Sequence, residues 1–366
     1  MDSENAATPL VDVIIAVHNT KRPLDRSVRS AMRGGVPIAE SGGLRVTIVC
    51  HNVSQDAIAS ALPPDTREAC TFIECHDGSS TCAAPRNLGM DVSTARYVSF
   101  LDSDDALEDG AIANWVSIAE RYGADAVIAT MIDGKGRILR DPVIRPGRRR
   151  NLDLVADRLA TRTEPNGLFR RSVLEDLQLR FDTTYQTGED VESLKIWASG
   201  GRIDLGGTRA RYILHDDAED RVSEASRPFE EDLAPFLDMM NSSWYKTQGI
   251  RVRRSFARKV IYSYLFGGMR SRAINRQWGP DDIRACQTLI EAVNRTSEGT
   301  LERLSRADRH LLDLSVSAGG TAETIAAASE RRRRYGRPET LLPRNLLYAL
   351  DRDAPIRYLT AAALVR

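Results

Sequence analysis

The stretch Arg96-Tyr-Val-Ser-Phe-Leu-Asp-Ser-Asp-Asp105 decides how the first half of this chain folds. Its first six residues read as a short buried strand, and the strand runs straight into three carboxylates. Side chains alternate along a strand, so Asp102 and Asp104 point the same way. Two same-facing carboxylates at the carboxyl end of a parallel strand repel unless a cation sits between them. Ligands of open α/β sheets bind at that edge. Hard oxygen donors suit Mg²⁺ or Mn²⁺, ions that commonly hold a diphosphate. Taken alone, the same residues also read as a solvated turn, with Asp104 or Asp105 capping the next helix.

The pattern around this stretch fixes the class. Upstream, Val11–Val17 is a β-branched run of the kind found in buried parallel strands. Leu44–Val49 and Thr71–Glu74 read as two more strands. Helical patterns at Leu24–Met32, Ala57–Leu62 and Ala83–Ser93 separate them, the last with Pro85 in its first turn. Downstream come a helix over Gly110–Tyr122, a strand at Ala126–Thr130, and helices at Arg170–Leu177 and from Gly188 to about Ala198. A late strand, Arg211–Leu214, ends at His215. Strands alternating with helices imply an α/β fold with a mostly parallel central sheet. The glycine- and arginine-rich stretch Gly134–Arg150 reads as an excursion. Beyond Ser223–Pro228 only helical patterns follow, so the expected domains are 1–228 and a helical 229–366.

Composition narrows the function classes. The 366 residues carry 51 basic and 51 acidic side chains and a formal net charge of zero. That balance argues against a general nucleic-acid binder. Cys50, Cys70, Cys75, Cys82 and Cys286 contain no C-x-x-C pair and are odd in number, so free thiols in a reducing cytosol are expected. No basic-then-apolar leader opens the sequence, and no apolar run approaches about 20 residues. A cytoplasmic location, at the inner face of the membrane if the carboxy-terminal third touches lipid, is the expectation.

Three segments together resemble the family 2 glycosyltransferases, which have the GT-A fold. Val11–Asn19 is similar to their first strand and nucleotide loop. Ala84-Pro-Arg-Asn-Leu-Gly-Met90 followed by Ala95–Asp105 is similar to their arginine helix and Asp-x-Asp strand. Phe169–Asp182 followed by Thr187-Gly-Glu-Asp190 is similar to their acceptor-side helix and catalytic acid pair. The resemblance covers roughly residues 10–225. It implies a nucleotide-sugar donor held by Ala16, His18, Asn19, Asn52, Asp77, Arg86, Asn87, Asp102 and Ser103. It implies Mn²⁺ or Mg²⁺ on Asp102 and Asp104, with His215 as a further ligand. It implies Asp190 as the general base that takes the acceptor hydroxyl proton, with Glu189 as its alternative or a positioning residue. Arg221 and Ser223 lie in a segment that resembles a donor-closing loop. Without the resemblance, Glu189-Asp190 reads equally as acids at a helix amino terminus, Arg86 as an ion-pair partner of the strand end, and His215 as an ordinary histidine.

The pattern departs from the family at two nucleotide positions. His18 stands where an aromatic residue is common. Val49-Cys-His-Asn-Val-Ser-Gln-Asp56 lacks the usual base-reading Asp, so His51 or Asn52 takes its place. An Asn side chain offers a donor and an acceptor, and can still meet a uracil imide.

In the last third, Val252, Phe256 and Val260 fall at four-residue spacing among Arg and Lys, a basic amphipathic pattern. Residues 331–366 hold nine basic and three acidic side chains. Acceptor binding, self-association and contact with an anionic membrane surface are the expectations for this region. For the whole chain, the expected activity is inverting, metal-dependent sugar transfer to a glycan or cell-envelope polymer, lipid-linked acceptors included. The alternative is a non-catalytic carbohydrate- or nucleotide-binding module on a degenerate glycosyltransferase fold.

Overall fold

The computed structural model describes residues 8–139, 141–162, 164–217, 227–352 and 354–364, with the side chains of Glu189 and Asp190 outside that description. The chain divides into two compact units. The first comprises residues 1–141, 148–152 and 163–224. The second comprises 142–147, 153–162 and 225–366. Two short pieces of the expected first domain therefore belong with the later helices. Their apolar side chains explain this: Val143, Ile144, Leu154 and Leu159 are all buried.

The first unit is built on a seven-stranded sheet. In chain order its strands are β1 (Val11–Val17), β2 (Leu44–His51), β3 (Cys70–Cys75) and β4 (Tyr97–Phe100). A second sheet opens with β5 (Ala106–Leu107). Then come β6 (Ala126–Ile128), β7 (Thr130–Asp133), β8 (Ile138–Leu139), β9 (Gly167–Arg170), β10 (Ile203–Leu205) and β11 (Arg211–Leu214). The large sheet runs β10-β6-β9-β4-β1-β2-β3 and the small one β5-β11-β7-β8. β1 pairs in parallel with both β2 and β4, and β3 with β2. β9 is antiparallel to both of its neighbours. The chain moves outward from β1 to β3 and then returns to the other side of β1. That reversal makes the crevice in which open α/β sheets hold ligands.

Two sequence expectations need revision. The single strand expected over 126–130 is two, β6 and β7, one in each sheet. Ala129 divides them, its N–H donating to the Asn166 carbonyl at 3.0 Å. The residues before the 170–177 helix form β9, whose four-residue length gave too short a pattern to read. Gly167 permits it: its φ is +150°, and a Cβ there would lie 2.1 Å from the Val127 carbonyl oxygen on β6.

β1 is buried along nearly its whole length, Asp12 included. Arg45 Nη2 lies 2.6 Å from Asp12 Oδ2, and the Thr47 hydroxyl donates to Oδ1 at 2.7 Å. A buried carboxylate requires such partners. Helix Ala83–Val92 packs tightly on β1 because Gly89 has no side chain; a Cβ there would meet Ile14 Cγ2 at 2.5 Å. This close seat sets the position of Arg86.

The second unit is helical. Its long elements are Phe229–Asn241, Ile250–Lys259, Phe266–Ile274, Pro280–Thr296, Arg306–Ser315 and Ala322–Arg332. A π-helical segment, Val260–Leu265, joins the second to the third. Phe256 and Val260 of the basic amphipathic pattern are buried in the helical core, where Phe256 meets Phe236 and Tyr245. Their spacing thus serves packing. Among the described residues no helix is long and apolar enough to cross a membrane.

Candidate active site

The carboxyl ends of β1, β2 and β4 open into a cleft of about 320 Å³. Ala16 and His18 come from the end of β1, and His51 from the end of β2. Asp102, Ser103 and Asp104 come from the end of β4, Arg86 from the helix before it, and His215 from the end of β11. Seven expected residues and His51, the stated alternative to Asn52, line this wall, and they converge from five segments spread over 200 positions of sequence.

Asp102 leaves the strand with its backbone N–H on the Tyr212 hydroxyl at 3.1 Å. Its Oδ1 accepts from Arg86 Nη2 at 2.8 Å. Asp104 pairs with Arg22 Nη2 at 2.8 Å, while Arg22 Nε donates to Ser103 Oγ at 3.1 Å. Arg22 thus spans the acidic turn, a role the motif reading did not assign to it. The only signal was a basic pair, Lys21-Arg22, just after the first strand. Arg26 binds the Asp104 carbonyl and both oxygens of Asp217.

Asp105 does not cap the next helix, whose amino end is Gly110. It is buried, and its Oδ1 accepts the His215 N–H at 2.8 Å. This bond ties β11 to the acidic turn and brings His215 to the cleft. Burial, and then the neighbouring Asp102 charge, push the Asp105 carboxyl well above the usual range. Burial also raises the Tyr212 phenol and, together with the Arg26 charge, lowers the His215 imidazole.

His51 is held by Asp77, with Nε2 2.7 Å from Oδ1. Partial burial opposes ionisation of Asp77, but hydrogen bonds from His51 and Ser79 win and bring its pKa to about 2. Asn52 adopts a left-handed backbone, φ +56°, which Asn tolerates better than most residues. Its amide donates to the Ser79 carbonyl at 2.8 Å and accepts from Gly78 N–H at 3.1 Å. Asn52 and Asp77 therefore shape the 77–79 turn and orient His51. Neither is on the cleft wall, and of the two candidates at the end of β2 it is His51 that is.

Asn87 also lies away from the wall. Its side chain donates to the Phe181 carbonyl and accepts from the Phe181 N–H, both at 2.9 Å. With a donor and an acceptor facing that backbone, Asn87 clamps the segment at Phe181. Phe181 in turn packs on Phe100 and beneath Arg86. The Asn19 side-chain oxygen Oδ1 accepts from the Lys21 N–H at 2.8 Å, in the turn after β1. Glu189 and Asp190 begin a 3₁₀ turn, Glu189–Glu192. Their side chains, with Arg221 and Ser223, lie outside the described residues. Gln186 and Thr187, just before the acid pair, line the cleft. So do Ser80, Thr81 and Glu164, which no motif marked.

The fit of a divalent cation is mixed. Two carboxylates and an imidazole are suitable donors for Mn²⁺ or Mg²⁺. Their spacing is not that of a formed site: among the described residues no three His, Cys, Asp or Glu side chains are grouped to hold an ion. Arg22 and Arg86 already neutralise both carboxylates.

Comparison with known proteins agrees with this geometry. Residues 12–178 match the model of the glycosyl transferase family 2. The chain is 24% identical over 181 residues to poly(ribitol-phosphate) beta-N-acetylglucosaminyltransferase TarP of Staphylococcus aureus, a match covering 49% of this chain and 54% of that protein. It therefore spans about half the length of that relative. It is 27% identical over 336 residues to succinoglycan biosynthesis protein ExoO of Rhizobium meliloti, covering 87% and 88% of the two chains. The crystal structure of S. aureus TarS 1-349 with UDP-GlcNAc superposes with a TM-score of 0.69 at 17% identity, over 89% of this chain and 93% of that one. This likeness establishes the GT-A fold.

Proposed function

We propose that this chain, whose residues 12–178 are a family 2 glycosyltransferase domain, moves a sugar from a nucleotide-sugar donor to a hydroxyl of a cell-envelope polymer, with inversion at the anomeric carbon. The observation that carries the reading is the convergence of His18, His51, Arg86, Asp102, Ser103, Asp104 and His215 on one cleft at the reversal point of the sheet. The names of the relatives support a polymer acceptor; poly(ribitol-phosphate) is named for TarP and for a relative in Bacillus spizizenii.

The residues divide the work as follows. His18 and His51 flank the base end of the cleft, and His51 is fixed by Asp77. Asp102, oriented by Arg86, faces the ribose and diphosphate. Arg22 holds Asp104 and Ser103 of the acidic turn, and a diphosphate entering the cleft competes with Asp104 for it. Asp190 takes the proton of the acceptor hydroxyl as the anomeric carbon–oxygen bond breaks. One in-line displacement needs no covalent intermediate. Because the cation donors are not grouped, no step is assigned to an ion. Mn²⁺ or Mg²⁺ is proposed as the ion that Asp102 and Asp104 would share, and it would have to compete with Arg22.

The test is thermal stabilisation by UDP, GDP, CDP, ADP and dTDP, each with Mn²⁺ and with EDTA. Ligand that binds only the folded state raises the melting temperature. The expected result is a shift with one nucleotide, larger with metal. No shift with any nucleotide at millimolar concentration sinks the donor site. Asp190→Asn should keep that shift and lose transfer by about 10²–10⁴-fold. Retained transfer would remove Asp190 as base.

A further inference from the structure

The helical unit holds a second polar cavity, of about 330 Å³, lined by Val155, Arg251, Arg254, Arg303, Asp351 and Arg352. Four guanidinium groups face one carboxylate there. Arg303 pairs with Asp351 at 2.9 Å and stacks on Tyr348 at 4.6 Å. Arg303 and Arg254 approach each other over Gly299. A Cβ at that residue would lie 2.6 Å from Arg303 Nη1 and 2.7 Å from Arg254 Nη2, and its φ is +82°. Only glycine leaves room for both heads.

Part of this arrangement is structural. Arg254 donates to the Glu298 carbonyl and Arg303 to the Gly299 carbonyl, each at 2.5 Å, just past the carboxyl end of helix Pro280–Thr296. Carbonyls at a helix carboxyl end attract cations. Arg251 and Arg352 are different. Both are exposed, both line the cavity, and among the described residues neither has a hydrogen bond or an ion pair. Two unpaired guanidiniums beside two more leave a strong excess of positive charge at one spot, in a chain of zero net charge.

We infer that this cavity binds a phosphodiester group of the acceptor. This inference rests on the reading of the chain as a transferase to a polymer. The donors reach the cavity from three separate stretches of chain, around 251–254, 303 and 352. A guanidinium fork meets two phosphate oxygens bidentately, and arginine is the residue that recurs in phosphate recognition. Converging forks therefore suit a phosphodiester, whose two charged oxygens diverge from a tetrahedral phosphorus. The phosphodiester can belong to a free polymer or to a lipid headgroup, and the chemistry of the site is the same for both.

The experiment uses the full chain and the Arg251→Gln/Arg352→Gln variant. Binding of a labelled ribitol-phosphate oligomer is read by fluorescence anisotropy at fixed salt. Flotation with phosphatidylglycerol vesicles is the second arm, and a carboxylate oligomer of equal charge is the third. The variant is expected to bind the phosphodiester oligomer, the vesicles, or both, about tenfold more weakly. Whichever arm loses binding identifies the source. Binding of both within about twofold of the unmodified chain overturns the inference, as does equal binding of the carboxylate oligomer. The nucleoside diphosphate melting shift of the variant is the control and should be unchanged. If that shift is missing from the unmodified chain while the arginine-dependent binding stands, the transferase reading fails and the anion site survives.

Discussion

Two aspartate–arginine pairs of the central sheet are built in opposite senses. At the start of β1, Asp12 is 0% exposed and its partner Arg45 is 17% exposed. At the end of β4 the order is reversed: Arg86 is 6% exposed and Asp102 is 31% exposed. In the first pair the acid is sealed and the base stands at the rim. In the second the base is sealed and the acid is presented. A sealed carboxylate with three hydrogen bonds has no capacity left for a ligand. A presented carboxylate, held from behind by a buried guanidinium, keeps an oxygen for something that arrives. The same two residue types thus fasten the sheet at one end and display a reactive group at the other.

The largest expected effect breaks the closed pair. Asp12→Ala leaves Arg45 and the Thr47 hydroxyl without their partner. Removing one member of a buried ion pair costs about 3–5 kcal/mol. Urea unfolding should show a loss of that size, while any protein that stays folded keeps its nucleotide-dependent melting shift. A loss under about 1 kcal/mol would show that the pair is not sealed in solution.

Next comes the open pair. Asp102→Asn keeps the shape of the side chain and removes its charge. It should cost less than Asp12→Ala, about 1–2 kcal/mol in urea unfolding, because the Asn amide oxygen still accepts from the buried Arg86 and only the charge is lost. Transfer should fall by about 10²–10³-fold, the scale of one lost electrostatic contact to a transition state. If stability falls as far as in Asp12→Ala, the contrast between the two ends of the sheet collapses.

How much of this was legible beforehand depended on the distance between partners. Asp102 and Asp104 both reach the cleft as expected, but β4 ends at Phe100 and a turn, not strand alternation, carries them there, while Arg86 could be paired with them from sixteen residues away. β1 and β2 were legible from their unbroken apolar runs. Asn52, Asp77 and Asn87 could be singled out from the sequence, but the partners they hold in the fold could not. Each binds backbone brought to it by the fold: Ser79 and Gly78 for Asn52, Phe181 for Asn87. No spacing rule links position 87 to position 181. Arg22 and Tyr212 were missed for the same reason, since Arg22 reaches the acidic turn from the loop after β1 and Tyr212 from the second sheet, 110 residues later. In the helical unit the arginines at 251 and 254 could be seen on one helix. Their meeting with Arg303 and Arg352 is a product of packing.

A smaller effect sharpens the division between display and support. Asn87→Ala removes both hydrogen bonds to Phe181, leaving a part-buried N–H and carbonyl unpaired. The expected cost is about 1–3 kcal/mol in urea unfolding. A positioning residue should lower stability more than it lowers nucleotide affinity. If the melting shift disappears while stability holds, Asn87 contacts the nucleotide after all.

The smallest effect concerns Asp77, which stands behind His51 as Arg86 stands behind Asp102. Here the support is an acid with a depressed pKa of about 2. A carboxylate depressed on folding adds stability at pH values above its unfolded pKa of about 4, and that contribution is lost as pH falls through the folded value. Asp77→Asn removes the charge at every pH. The stability gap between the two proteins should therefore be constant above about pH 5 and should narrow steadily between about pH 4 and pH 2. Melting temperatures measured across that range give the answer directly. A gap that stays constant to pH 2 would mean that Asp77 is not held as an anion by His51 and Ser79. His51 would then lack the fixed orientation that qualifies it, ahead of Asn52, as the residue facing the nucleotide from the end of β2.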